Sequence, residues 1–163
     1  MIQSHVQTYI GIDPGMSGGL AKIYPSGVSA DSMPKTEHDI WDWFDIGGSK
    51  MAIIEKVGGY VGGGDGDKGG GRANGSAMFK FGMSYGGLRM ALIAAGIPFE
   101  EIAPQTWQKA LKITKAKDEA KTQWKNRLKA RAQQLFPQLT VTLATADAIL
   151  IACYCQRKTE GRL

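Results

Sequence analysis

The sequence predicts an α/β fold, a mixed five-stranded sheet with helices on both faces. Three observations predict it. Short apolar runs, punctuated by Gly and Pro, alternate with longer stretches of helical spacing. Their order is three strands, helix, strand, helix, strand, helices, which stacks helices on a sheet. Two of the apolar runs end in an acid, and the strand ends of an open α/β sheet form its ligand-binding edge.

The first strand is Tyr9-Ile10-Gly11-Ile12-Asp13, followed by the turn Pro14-Gly15-Met16-Ser17-Gly18-Gly19. Leu20 to Tyr24 alternates as a second strand. Pro25-Ser26-Gly27 marks a hairpin into a third, Val28 to Met33. Thr36 to Phe44 has helical spacing, with Ile40, Trp41 and Phe44 on one face. Met51-Ala52-Ile53-Ile54-Glu55 is a buried strand ending in the second acid. Residues 58–75 are mostly glycine, bury little apolar area, and are expected to form a flexible loop. Met78 to Ala95 restores helical spacing, with Phe81, Tyr85, Leu88, Leu92 and Ile93 inward, and Gly96 stops it. Pro98 to Ala103 is a fifth strand, and Pro104-Gln105-Thr106 opens a short helix carrying Trp107. A basic helix is expected from Lys117 to Leu135, and an apolar one from Thr145 to Arg157. No repeat or internal boundary is visible, so residues 1–163 are expected to form a single domain.

Composition narrows the function classes. Net charge is +5 with a pI near 9.2, which favours a polyanionic partner. Cys153 and Cys155 have no CxxC spacing and are expected to be reduced thiols, not a zinc site. No secretory signal or membrane span is visible, which leads us to expect a cytoplasmic protein, with an organelle as the alternative. No Gly-Lys-Ser/Thr follows the glycines, so they are not a nucleotide P-loop. His5 and His38 are isolated and carry no assigned role.

The acids carry the chemistry. Neighbouring strand ends would bring Asp13 and Glu55 together, and Asp147, at the start of the last helix, could dock beside them. Three converging carboxylates repel one another unless a cation neutralises them. Hard oxygen ligands suit Mg²⁺ or Mn²⁺, and two such ions ~3.5–4 Å apart clamp the oxygens of a phosphodiester displacement. From spacing alone, solvated strand ends, and a helix N-cap at Asp147, remain open beside metal ligation.

At these residues the chain resembles the RuvC-like Holliday junction resolvases. Ile10-Gly11-Ile12-Asp13-Pro14-Gly15 resembles their opening strand, Ile53-Ile54-Glu55 their second acidic strand, and Thr145-Ala146-Asp147-Ala148-Ile149-Leu150-Ile151-Ala152 their closing helix. Three further pieces are similar to the chloroplast and phage-type branch. These are Phe81-Gly82 with Tyr85-Gly86-Gly87, Pro104-Gln105-Thr106-Trp107-Gln108-Lys109, and Lys117-Asp118 leading to Leu135-Phe136-Pro137. The resemblance runs in order along nearly the whole chain. Gly-x-Asp-x-Gly alone is shared by sugar kinases and actin-like ATPases, whose paired domains need a longer chain than 163 residues.

The resemblance implies a ribonuclease-H-like fold and a homodimer that resolves four-way DNA junctions by paired, metal-dependent cuts. It implies two Mg²⁺ or Mn²⁺ ions on Asp13, Glu55 and Asp147, and products with 5′-phosphate and 3′-hydroxyl ends. Lys117 stands where the family carries a basic residue near the scissile phosphate, with Lys121 the second choice. The Met78–Ala95 helix, with Gly82, Gly86 and Gly87, is the expected dimer helix. One position departs from the pattern. The family usually has a fourth ligand a few residues before the last acid, and this chain has Ala144. Either the site runs on three acids, or position 144 has been changed and the chain binds junctions without cutting them. Lys109, Lys112, Lys115, Lys121 and Lys125 form a basic stripe expected to contact phosphates. Lys68 and Arg72 in the glycine loop could enter the junction centre. Tyr60, Phe79 or Phe81 could wedge between its bases, although Phe81 has the spacing of a core residue. A membrane or a small-molecule substrate is not expected.

Overall fold

The computed structural model describes residues 8–58 and 75–163. Five strands form one sheet: β1 (Thr8–Asp13), β2 (Gly19–Tyr24), β3 (Gly27–Ser32), β4 (Lys50–Glu55) and β5 (Phe99–Ile102), in the order β3-β2-β1-β4-β5. The β1–β2–β3 half is antiparallel, and β4 and β5 join β1 in parallel. The helices are α1 (Glu37–Phe44), α2 (Gly75–Ala94), α3 (Pro104–Ala110), α4 (Lys121–Leu135) and α5 (Leu143–Thr159).

Strand side chains alternate between faces, and the alternation builds two cores. Ile10, Ile12, Ala52 and Ile54 pack with Ile40 and Phe44 of α1 and Leu88 and Leu92 of α2. Tyr9, Ala21 and Ile53 point the other way, into a core with Trp107, Trp124, Leu128 and the apolar run of α5. Helices therefore cover both faces, as expected. Among the described residues no helix is long and apolar enough to cross a membrane.

Helix α5 lies across β1, β2 and β4. Gly11 permits this: a Cβ there would stand 2.2 Å from both the Ala148 carbonyl oxygen and the Ala152 nitrogen. The backbone of α5 thus rests on β1 where any other residue would hold it off.

Four expectations need correction. The basic helix begins at Lys121, not Lys117, because the chain before it is tied into a loop. Glu119 accepts from the Ala116 N–H at 3.1 Å and from both Nε and Nη2 of Arg127 at 3.0 and 2.8 Å. Arg127 also donates to the Thr114 carbonyl at 2.6 Å. Asp147 does not open the last helix. Thr142 caps α5, accepting from the Thr145 N–H at 3.2 Å while the Thr145 hydroxyl accepts from the Thr142 N–H at 3.0 Å. Ile93 faces solvent, not the core, and Gly75 already belongs to α2.

Candidate active site

The face alternation that builds the cores also places the acids. Asp13 shares the side of β1 that carries Tyr9 and Gly11, and Glu55 the side of β4 that carries Ile53. Both sides face α5. The β1–β4 register pairs Gly11 with Ile53 and Ile12 with Ile54, so Asp13 and Glu55 follow on adjacent strand ends, roughly 4.8 Å apart across the sheet. Asp147, four residues beyond the first residue of α5, is buried against this edge.

Their electrostatics report the convergence. Burial pushes the Asp13 carboxyl up to about 8, aided by the negative charges of Asp147 and Glu55 and opposed by Lys125. Glu55 is raised for the same first reason. Trp107 opposes the rise, Asp147 adds to it, and Lys125 again opposes it. The opposing cation, Lys125 on the second turn of α4, forms an ion pair with Asp147 Oδ2. Burial alone would lower the Lys125 ammonium, yet attraction to Asp147, Asp13 and Glu55 raises it. Four ionisable groups from β1, β4, α4 and α5 thus act as one cluster.

Glu55 has a second partner. Trp107 is fully buried, and its Nε1–H donates to Glu55 Oε2 at 2.8 Å. That bond fixes one carboxylate oxygen and leaves the other free of Trp107. Asp147 Oδ1 is buried and, among the described residues, has no hydrogen-bond partner. An acceptor left bare in this way is costly unless something else satisfies it. Among the described residues no three Asp, Glu, His or Cys side chains are set to grip an ion as they stand; the cation in the cleft is Lys125. The donor set nevertheless fits a divalent ion: three carboxylates, one with an orphaned oxygen, and a flexible lysine able to turn aside.

The fold recurs in solved structures. One, titled T. thermophilus RuvC in complex with Holliday junction substrate, superposes with a TM-score of 0.60 at 16% identity, over 96% of this chain and 97% of that one. A second Thermus thermophilus RuvC structure gives a TM-score of 0.53 at 15% identity, over 95% of each chain. The fold is RuvC-like. No family model matches the sequence, and no curated protein matches it. The likeness to the chloroplast and phage-type branch rests on sequence motifs; the two structures just described, both Thermus proteins, support the RuvC-like fold.

On this RuvC-like frame the other expected residues fall into three groups. Lys117 is exposed in the turn before α4, and Lys121 is the exposed first residue of that helix. Lys125, expected only as a phosphate contact, is the lysine that meets the acids. It sits one turn beyond Lys121 on the same helix face. Lys109 is exposed in the last turn of α3, and Lys112 and Lys115 are exposed in the α3–α4 connection. Phe79 is 68% exposed on α2, whereas Phe81 is half-buried and stacks on Tyr85 with ring centroids 6.4 Å apart. Lys68, Arg72 and Tyr60 lie outside the described residues. Ala144 occupies the first turn of α5, and its methyl group offers no ligand. The role of Trp107 had only the Pro-Gln-Thr-Trp motif to signal it, and the role of Lys125 only its place in a basic run.

Proposed function

We propose that this chain is a structure-selective endonuclease that resolves four-way DNA junctions by paired, metal-dependent phosphodiester hydrolysis. It would act as one domain over residues 1–163 and as a homodimer. The observation that carries the reading is the cluster at the sheet edge, where the negative charge of Asp147 bears on both Asp13 and Glu55, and Asp147 Oδ1 lacks a partner among the described residues. The likeness to a RuvC solved with a Holliday junction substrate supports the choice of DNA.

Asp13, Glu55 and Asp147 are the residues that would hold two Mg²⁺ or Mn²⁺ ions. Bound there, the ions supply Lewis acidity at the scissile phosphate. The protein's own groups do the rest. Trp107 fixes the orientation of Glu55. Lys125 neutralises Asp147 until a cation and the phosphate arrive, then is free to turn toward the phosphate oxygens, where a positive charge stabilises charge developing in the transition state. Lys117, with Lys121 as second choice, exposed just before and at the start of α4, would be a further cation for the scissile or a flanking phosphate. Lys109, Lys112 and Lys115, with Lys68 and Arg72, would hold backbone phosphates. Phe79 is the exposed candidate for a wedge at the junction centre.

A second reading, junction binding without cutting, is favoured by Ala144 and by the hold of Lys125 on Asp147. One experiment separates them. Mobile four-way junction and linear duplex are incubated with the chain in Mg²⁺ and in EDTA. Paired nicks in the junction alone, lost in EDTA and in Asp13→Asn and Asp147→Asn, are expected. Tight junction binding with no nicks, and cutting gained by Ala144→Asp, would establish the second reading. Equal affinity for junction and linear DNA would sink both.

A further inference from the structure

A cavity of about 450 Å³ lies between the end of α3, the second half of α4 and the end of α5. Its charged lining is Lys112, Arg127, Arg131 and Arg157, with no acid among them. Arg127 is engaged by Glu119 and by the Thr114 carbonyl. The other three have no carboxylate partner among the described residues. Cations without a carboxylate partner around a concavity mark a place where an anion belongs.

Lys112 supplies an independent observation. It is the only non-glycine among the described residues with positive φ, at 57°. The reason is local. The Ile113 N–H bonds the Gln108 carbonyl at 2.8 Å and the Lys112 N–H bonds the Lys109 carbonyl at 3.0 Å. That is the paired closure of a helix whose left-handed residue is ordinarily glycine. A lysine there is strained by its Cβ, and glycine would close α3 more comfortably. The exposed side chain at this strained position lines the cavity and gives it a cation.

We propose that this cavity is a second phosphate-binding site, one that takes a backbone phosphate of a DNA arm away from the cleavage centre. Arg157 lies ten residues beyond Asp147 on α5, ~15 Å along the helix, or about four base steps of duplex. Phosphodiester contacts at both ends of this span would set the angle at which an arm leaves the active site. The site rests on the DNA reading above but not on junction selectivity, because any duplex presents the same backbone.

The test is DNA affinity against salt, measured by fluorescence anisotropy in EDTA on the full chain, with four-way and linear DNA. Lys112→Gly and Arg131→Gln are each expected to weaken both by 3-fold or more. Each should also flatten the log–log salt slope by about one, the value of one lost phosphate contact. Lys112→Gly should at the same time keep or raise Tm, which a lysine needed only for folding would not allow. Inorganic phosphate serves as the control ligand. If it raises the Tm of the native chain while both variants keep native DNA affinity and slope, the cavity is a free-anion site and the DNA contact is refuted. Unchanged affinity, slope and phosphate response in both variants would refute any phosphate site. Should the native chain bind junction and linear DNA equally while the variants still lose affinity, the resolvase reading fails and this site stands.

Discussion

Asp13 is the residue on which the candidate site turns, and its proton makes a prediction for the metal-free protein. The carboxyl moves from an ordinary 3.8 to about 8 on folding. Between those values the unfolded chain has released a proton that the folded chain keeps. Stability should therefore fall as pH rises through this window, by up to about 1.4 kcal/mol per pH unit. The raised value of Glu55 acts in the same direction. Thermal melts in EDTA between pH 5 and 8 should show Tm declining in the native chain and a flatter profile in Asp13→Asn. A Tm that climbs with pH would mean that Asp13 is charged in the metal-free fold and the cluster is looser than its geometry. At this scale the three acids were legible in the sequence because Asp13 and Glu55 close apolar runs that must be buried and Asp147 stands just before one. Lys125 and Trp107 were not. Their roles depend on how α3 and α4 dock beside the sheet edge, and a lysine among lysines carries no local sign of which one turns inward.

Among the elements, α5 does most to assemble the site, since its contact with β1 brings Asp147 beside Asp13. Gly11 and Gly27 both lie in strands, but only Gly11 has backbone atoms where a Cβ would go. Gly11→Ala should therefore cost about 3 kcal/mol or more, as overpacking against immovable backbone does. Gly27→Ala, whose Cβ would meet the Tyr24 ring at an ordinary 3.6 Å, should be neutral or mildly stabilising. Urea denaturation of the two variants makes the comparison, and equal midpoints would show that α5 rides on β1 less tightly than described. Strand positions were legible because Gly and Pro punctuate apolar runs. The start of α4 was not: Lys117, Asp118 and Glu119 suit a helix locally, but Arg127 draws Glu119 into a loop instead. The phase of α2 was ambiguous for another reason. The helix is apolar on both sides, so no polar face fixes which way Ile93 points.

At the scale of the whole molecule, that second apolar side of α2 is what the monomer leaves unexplained. Leu88 and Leu92 are fully buried against the sheet, while Phe79, Met83, Met90 and Ile93 are 68%, 57%, 59% and 57% exposed. Their separations of four, seven and three residues place them along one stripe of the helix. Gly82, Gly86 and Gly87 have no described residue near the position of a Cβ, so a second helix could approach closely between the large side chains. Paired cuts in a two-fold symmetric junction need two centres related by the same symmetry, which an isologous pairing of α2 would provide. A stable interface of this kind buries upward of ~1,200 Å². Sedimentation equilibrium at micromolar concentration should return twice the 17.6 kDa chain mass. Met83→Glu combined with Ile93→Glu should return a single chain that melts no earlier than an exposed substitution warrants. In a junction assay the double variant should lose paired nicks before it loses DNA binding. A native chain that sediments at 17.6 kDa at every concentration tested, or a double variant that remains paired, would remove α2 as the contact between protomers.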